Sequence, residues 1–257
     1  MDKTAPVVGS FVIADKEGST TITNEREIKY TLVYSDNLSG VAKAFISGEH
    51  ITEQEIVLDG NGTKEGTIVI KSDAPQGNIS VSVKLVDQAG NESVITTKTI
   101  TLDTEISKPV LVLETAKDEV LPEFINYHAI KAQLTSADTD IVGYKIWEGE
   151  VEPESYTGVT EGSALNVEVA LELSASEGLK TIHAKVIDNS GTPAVADNKT
   201  VTIDKTAPVV ELSTDKVLIS GVEGYNVATL TMSATDEVAK VKSYTLTVGE
   251  KSLSSGN

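Results

Sequence analysis

Hydrophobic and polar residues alternate with a period of two through most of the first hundred positions. The alternating runs are rich in Val, Ile and Thr, and clusters of Gly, Asn, Asp and Ser such as DGNGT and DQAGN separate them. No stretch shows the period of an amphipathic helix beyond a single turn. The pattern predicts seven short strands in this part of the chain, at residues 7–13, 27–34, 41–46, 51–58, 67–71, 79–86 and 94–102.

The same pattern then recurs along the chain. MDKTAPVV at the start returns as IDKTAPVV, with LDTEISKPVLVL between them, so Asp2, Asp103 and Asp204 follow each other at 101 residues (103 − 2 and 204 − 103). Asp87 and Asp188 keep the same step. We therefore predict three copies of one unit, at residues 1–103, 104–204 and 205–257, of which the last is only the first half of a copy.

Seven strands in roughly 100 residues are typical of an immunoglobulin-type sandwich. The predicted fold class is all-β, a tandem array of immunoglobulin-like β-sandwiches of about seven strands each with an incomplete third repeat. Aromatic residues make up only 4% of the chain, so the cores should consist mostly of Val, Ile, Leu and Ala.

Three motifs make the resemblance more specific. The DKTAPVV opener, the turn in VDQAGN and the exit strand TITLDT resemble those of bacterial immunoglobulin-like repeats in long surface adhesins, and similar modules occur in phage virion proteins and as spacers in secreted enzymes. The middle copy departs from the pattern, since IDNSGTP replaces VDQAGNE and TEISKP carries two extra residues before its proline. The resemblance implies a non-catalytic structural or adhesive module.

Composition narrows the classes of partner. The 39 Asp and Glu against 21 Lys and Arg give a formal net charge of −18, which would repel nucleic acids and anionic membranes but attract divalent cations. The absence of cysteine excludes disulfides, thiolate metal sites and cysteine nucleophiles. No run of about 18 apolar residues predicts a membrane span. Because DKTAPVV follows Met1 directly, we expect either a piece of a larger exported protein or a protein released without a signal, such as a virion component.

Acidic residues are expected to gather at one pole of each sandwich. In a seven-strand sandwich the start of the first strand and three of the loops lie at the end that faces the preceding domain. Carboxylates gathered there, with Asn and backbone carbonyls, would suit calcium, although Asp and Asn also populate turns without any metal. The candidate calcium ligands at the domain junctions are Asp2, Asp36, Asp87, Asn91, Asp103, Asp138, Asp140, Asp188, Asp204 and Asp236.

Other chemistry is not expected. His50, His128 and His183 occupy unrelated places in the repeat and show no zinc-binding spacing. DGNGTKEG lacks the spacing of a phosphate-binding loop and is interpreted as a hairpin loop. Trp147 at the end of a predicted strand is either a platform on which a sugar stacks or a residue that packs under a neighbouring loop. We therefore predict neither an enzyme nor an organic cofactor.

The incomplete third repeat leaves an apolar face without the strands that would cover it. That face includes Leu230, Met232, Tyr244 and Leu246. Three interpretations stay open: residues 205–257 continue into a longer array, a partner subunit completes them by strand complementation, or they form a different small fold.

Three functions follow from these observations. The first is a semi-rigid extracellular stalk or filament segment of a bacterial surface adhesin, with neighbouring immunoglobulin-like domains as partners and a cell-surface or glycan target. The alternative is a phage virion protein of a capsid, tail or fibre that adheres to the host surface. The third is a spacer of a secreted enzyme.

Overall fold

The computed structural model describes residues 1–216, 221, 227–248 and 251–256. Every regular element among these residues is a β-strand, which confirms the all-β prediction. In this part of the chain no helix is long and apolar enough to span a membrane.

The first repeat is a sandwich of two sheets. Its strands are β1 (Val7–Ala14), β2 (Ile22–Thr23), β3 (Glu27–Ser35), β4 (Val41–Ser47), β5 (Gln54–Gly60), β6 (Gly62–Val69), β7 (Gly77–Asp87) and β8 (Thr96–Leu102). One sheet has the order β1, β3, β6, and the other has the order β2, β8, β7, β4, β5. All pairs are antiparallel except β2 with β8, which is parallel. This is the predicted immunoglobulin-like sandwich with one short additional strand, β2.

The second repeat has the same architecture. Its strands are β9 (Val110–Glu114), β10 (Phe124–Ile125), β11 (Ala129–Ser136), β12 (Ile141–Glu148), β13 (Thr157–Gly158), β14 (Leu165–Glu172), β15 (Gly178–Asp188), β16 (Pro193–Val195) and β17 (Lys199–Ile203). The sheets are β14, β11, β9 and β10, β17, β15, β12, β13, and β16 also pairs with β15. The short strand β10 is again parallel to the exit strand β17.

The third repeat contains two described hairpins, β18 (Val209–Thr214) with β19 (Leu230–Thr235) and β20 (Ser243–Val248) with β21 (Lys251–Gly256). The predicted half repeat at 205–257 also includes residues 217–220, 222–226, 249, 250 and 257, which lie outside the described residues. The repeat boundaries after residues 103 and 204 stay predictions.

Each of the first two repeats has its own core between its two sheets. Along β3 the alternate residues Ile28, Tyr30, Leu32 and Tyr34 are buried, because successive side chains of a strand point to opposite faces. The second core is a separate cluster, built largely from Ile, Leu, Val and Ala as the low aromatic content predicted. Full burial of each Ile or Leu contributes about 1.5–3 kcal/mol to stability.

DGNGTKEG is not a hairpin loop. β5 before it pairs with β4, whereas β6 after it pairs with β3, so the chain passes from one sheet to the other at Asn61. Strand β6 starts at Gly62 instead of residue 67, although glycine is a poor strand residue. The pairing explains this exception, because Gly62 and Gly66 lie opposite Tyr34 and Tyr30, whose rings occupy the space above them.

Candidate functional site

The DKT motif is a local turn held by its aspartate. Asp2 Oδ1 accepts the N–H of Thr4 at 2.8 Å, and Asp204 Oδ1 accepts the N–H of Thr206 at 3.0 Å. Asp side chains commonly accept the amide two residues further on. This turn therefore orients the aspartate side chain towards the pole of the repeat whose first strand follows it.

Asp2, Asp36 and Asp87 meet at the pole of the first repeat and are called here the first acidic group. One carboxylate oxygen from each lies within 4.8 Å of the other two. Asp2 precedes β1, Asp36 follows β3 and Asp87 ends β7, so the start of the chain and two loops meet at this pole. Asn61 also lies at this pole. Its side chain accepts the Asp36 N–H at 2.7 Å and donates to the Asp36 backbone carbonyl at 2.9 Å.

Backbone N–H groups donate hydrogen bonds to several carboxylate oxygens of the first acidic group. Asp36 Oδ2 accepts the N–H groups of Leu38, Ser39 and Gly40 at 2.9, 2.8 and 3.0 Å. The same Ser39 N–H also donates to Asp2 Oδ2 at 3.0 Å. The hydrogen bond from the Thr4 amide is the largest cause that lowers the pKa of Asp2. Asp36 Oδ1 is the exception, because it is buried without a hydrogen-bond partner.

Asn91 satisfies Asp87 on both carboxylate oxygens. Its backbone N–H donates to Asp87 Oδ1 and its side-chain amide donates to Asp87 Oδ2, both at 2.7 Å. Burial raises the pKa of Asp87, but the hydrogen bonds from Asn91 outweigh burial and hold the pKa below its usual value. In this structure Asn91 is therefore a hydrogen-bond donor to the acidic group.

The third repeat repeats part of this arrangement. Asp204 Oδ2 and Asp236 Oδ1 both accept the N–H of Ala239, at 3.0 and 2.9 Å. Asp236 Oδ1 also accepts the amides of Val238 and Lys240 at 3.1 and 3.2 Å. Asp36, which follows β3, and Asp236, which follows β19, thus accept the amides of the loop after them in the same way.

The second repeat assembles a different set, Asp103, Asp140 and Asp188, called here the second acidic group. One oxygen from each lies within 4.8 Å of the others. The structure does not bring Asp138 into this group. Asp138 instead accepts the N–H and the hydroxyl of Ser107, at 2.6 and 2.8 Å.

The second acidic group is only partly satisfied by hydrogen bonds. Asp188 Oδ1 accepts the amides of Ser190 and Thr192 and the Ser190 hydroxyl, at 2.9, 2.8 and 2.7 Å. Asp188 Oδ2 has no partner, although Asp188 is only 1% exposed. Burial, followed by the charges of Asp188 and Asp140, raises the pKa of Asp103. A hard cation would relieve the repulsion that this raised pKa reflects.

A further acidic cluster was not predicted from the sequence. Glu114, Asp118 and Glu168 also lie within 4.8 Å, but on the surface. Lys131 Nζ is 2.6 Å from Asp118 and 2.9 Å from Glu168, so a side chain of the protein already forms ion pairs with two of the three carboxylates. It is a surface ion-pair network and does not need a metal.

Hydrogen bonds connect the exit strand of the first repeat to the start of the second. The Asp103 N–H donates to Thr23 O in β2 at 2.9 Å. The Thr104 N–H donates to Gln76 Oε1 at 2.8 Å, and Gln76 Nε2 donates to Thr104 Oγ1 at 2.7 Å. Asp103 thus has its backbone in the first repeat and its carboxylate in the second acidic group.

The next junction is built in the same way. The Asp204 N–H donates to Ile125 O in β10 at 2.8 Å. The Lys205 N–H donates to Glu177 Oε1 at 2.6 Å, in the role that Gln76 has one repeat earlier. These two side chains were not singled out from the sequence, although Gln76 and Glu177 keep the repeat spacing of 101 residues (177 − 76).

The histidines and the tryptophan lie outside the acidic groups. Trp147 in β12 is half-buried and stacks on the ring of His183 in β15, with ring centres 5.2 Å apart. His128 Nε2 is 3.5 Å from a carboxylate oxygen of Glu172. One face of the Trp147 ring is therefore covered by an imidazole, and a sugar-binding role for it stays a prediction.

No protein-family model matches the sequence, and no curated protein matches it. Solved structures with some likeness include fibronectin(III)-like modules of Clostridium thermocellum CbhA (14% identity, 77% of this chain and 92% of that chain, TM-score 0.38). Others are a tetra-tandem repeat in the extending region of a large adhesion protein (18%, 96% and 66%, TM-score 0.31) and the D00-D0 domain of Intimin (14%, 76% and 100%, TM-score 0.29). These TM-scores are below 0.5, so the fold assignment rests on the strand pairing of the chain itself.

Proposed function

We propose that this chain is a non-catalytic, adhesin-type segment, in which tandem immunoglobulin-like sandwiches form a semi-rigid extracellular stalk. The observation that carries the proposal is the construction of the junctions. At both of them, the exit strand passes into the next repeat through a residue whose N–H is bound to the preceding repeat. A side chain of the preceding repeat then binds the next amide, so there is no free linker between the repeats.

The contacts across the first junction support a stiff joint. Gly191, in the turn after β15, also lies near Asn24 of the first repeat, since a Cβ placed on Gly191 would be 3.6 Å from Asn24 Nδ2. The two repeats are therefore close to each other away from the connecting chain as well. A joint that is held at several points resists bending better than a single peptide connection. Repeated along a stalk, such joints would carry a binding tip away from a surface.

We also propose that calcium binds at the acidic poles of the repeats. Its support is the convergence of three carboxylates in each of the first two repeats, with one buried oxygen in each group left without a partner. Carboxylate oxygens are the preferred ligands of this hard cation. Because the Asp103 backbone is hydrogen-bonded to the first repeat while its carboxylate lies among those of the second, a cation on that carboxylate would tighten the junction.

Neighbouring immunoglobulin-like strands are the partners we propose for the third repeat. Val210 and Leu212 in β18 are 58% and 56% exposed, whereas Leu111 and Leu113, which occupy the same places in β9, are 1% and 6% exposed. Strands from a second subunit would cover this face by strand complementation. Sedimentation at increasing protein concentration tests this strand complementation. A chain that stays monomeric while its apolar face binds a hydrophobic dye would contradict it.

Small-angle X-ray scattering of the full chain tests the stalk. The 11-residue strand β7 alone spans about 36 Å. A row of repeats should therefore have a radius of gyration well above the about 18 Å of a compact chain of 257 residues. A value close to the compact one would rule out the stalk. Antibody labelling of intact source cells tests the surface location.

A further inference from the structure

The two acidic groups occupy equivalent poles but are built from different residues. We infer that the second acidic group binds a divalent cation more tightly than the first, and that Asp140 and Thr192 make the difference. This inference rests on the calcium binding proposed above and says which of the two poles binds the cation more tightly. Three differences between the repeats support it.

The first difference is the side chain that accepts the backbone amides of the loop after β3 in the first repeat and after β11 in the second. In the first repeat Asp36 Oδ2 is occupied by three backbone amides of that loop. The equivalent residue in the second repeat is Ser136, whose hydroxyl accepts the N–H of Asp138 at 3.3 Å. In the second repeat a hydroxyl therefore accepts the loop amide in place of a carboxylate. No residue of the second acidic group is needed to hold this loop.

The second difference is an added charge. Gly40 and Asp140 are equivalent, because Gly40 O accepts the N–H of Gln88 and Asp140 O accepts the N–H of Asn189, at 3.0 and 2.9 Å. Gly40 has a φ of 82°, a left-handed conformation that favours glycine. Asp140 is outside that region and brings a carboxylate to the pole. The second repeat thus has a charge where the first has no side chain.

The third difference is a missing donor. Asn91 and Thr192 are equivalent, since their carbonyl groups accept the amides of Asp87 and Asp188 in the same turn. The Asn91 side chain donates to Asp87 Oδ2 at 2.7 Å. Thr192 has no side-chain amide, and Asp188 Oδ2 is the atom left buried without a partner. Asp36 Oδ1 of the first group is also buried without a partner, but there Asp2 and Asp87 accept hydrogen bonds on both oxygens. A buried carboxylate oxygen without a donor is costly unless a cation binds it.

The oxygens of the second acidic group are close enough for one cation to bind all three residues. One carboxylate oxygen from each lies within 4.8 Å of the other two. Carboxylate oxygens are the ligands that calcium prefers. No salt bridge found between described residues places a Lys or Arg on this group, in contrast to the surface cluster around Lys131.

Calorimetric titration of calcium chloride into the full chain tests the inference. We expect one tight site in the unmodified chain. Asp140→Gly installs the residue of the first repeat and should weaken that site by roughly ten-fold or more, because one carboxylate ligand is lost. Thr192→Asn should also weaken it, because the new amide would compete for Asp188 Oδ2. Asp138→Asn is the matched control in the same loop and should leave the affinity unchanged, while circular dichroism confirms that each variant is folded.

The outcomes separate this inference from the calcium proposal. If Asp2→Asn abolishes the tight site and Asp140→Gly does not, the cation belongs to the first pole and the inference is overturned while calcium binding stands. Two sites of equal affinity in the unmodified chain would also overturn it. No binding at millimolar calcium would overturn both this inference and the proposal that calcium binds. The stalk is tested separately, by scattering with a chelator present.

Discussion

Gln76 and Thr104 form a two-point clasp across the first junction, with the Thr104 N–H on Gln76 Oε1 at 2.8 Å and Gln76 Nε2 on Thr104 Oγ1 at 2.7 Å. Gln76→Ala removes both bonds without touching either core. We expect the Thr104 amide to exchange its hydrogen faster, by roughly five- to ten-fold for about 1 kcal/mol of lost hydrogen bonding, while core amides stay protected.

Hydrogen-exchange mass spectrometry measures this effect. Glu177→Ala is the matched variant at the next junction, where it should expose the Lys205 amide and leave that of Thr104 unchanged. Equal exchange at Thr104 in the Gln76→Ala variant and the unmodified chain would show that the clasp does not hold the junction.

Gly66 tests how Tyr30 fits against β6. A Cβ at Gly66 would lie 2.7 Å from the Tyr30 ring, so Gly66→Ala should displace the ring and destabilise the first repeat by about 1–3 kcal/mol. Gly62→Ala is the milder control, because its nearest atom is the Tyr34 hydroxyl at 3.3 Å. Urea denaturation followed by tyrosine fluorescence compares them, and equal midpoints for the two variants would contradict this account.

Asn91→Thr converts one turn of the first repeat to the form found in the second. Asp87 Oδ2 would lose its amide donor and stay buried, at a cost of about 1–3 kcal/mol when no calcium is present. Denaturation in a chelator measures the loss. The reverse change, Thr192→Asn, should stabilise the second repeat under the same conditions, and a loss of stability there would contradict the proposed equivalence of the two turns.

Glu148 should give the second repeat a measurable dependence on pH. Burial raises the pKa of Glu148, but the hydrogen bonds from Ser174, at 2.6 Å to each oxygen, and the nearby Lys180 outweigh burial and lower the pKa. A lowered pKa means that this contribution is full above the unfolded value of 4.5 and is lost as pH falls through the folded value. Glu148→Gln should therefore cost about 1 kcal/mol at pH 7 and almost nothing well below pH 4.

Denaturation of the Glu148→Gln variant and the unmodified chain across this range checks the sign. A difference that grows as the pH falls would show that Glu148 acts in another way. Glu150→Gln is the control, because Glu150 is an exposed residue of the same segment.

Calcium should stabilise the second repeat selectively. Calcium at one hundred times its dissociation constant would add about 2.7 kcal/mol to the unfolding free energy of the repeat that binds it. Differential scanning calorimetry with calcium and with a chelator would show this as a shift of one transition. Asp140→Gly should abolish the shift, and a shift that persists in this variant would place the cation elsewhere.

Much of the fold was predictable, because buried strands such as β3 and β7 have an apolar residue at every second position, from Ile28 to Tyr34 and from Ile79 to Leu85. β6 was placed five residues too late because Gly62 and Gly66 interrupt the alternation, and only the pairing with β3 shows that the rings of Tyr34 and Tyr30 fill those places. The two-residue strand β2 is too short to produce a pattern.

The pole of each repeat was predictable, but its exact membership was not. From the sequence alone, Asp138 and Asp140 are equal candidates for the acidic pole, since both lie in one short polar loop. The difference arises from a contact 31 residues away, because Ser107 occupies both oxygens of Asp138 and leaves Asp140 to meet Asp103. Such long-range hydrogen bonds have no signature in the local sequence.

The short strands β2 and β10 also determine how tension would travel through a stalk. Each is parallel to the exit strand of its own repeat, and the Asp103 N–H extends this ladder to Thr23 O. A pull on the two ends of a repeat would load these hydrogen bonds together in shear and would not unzip them one by one. In single-molecule pulling, each repeat should accordingly extend in one abrupt step, and Thr23→Pro, which removes the Thr23 N–H from this ladder and distorts β2, should lower the force at which the first repeat unfolds.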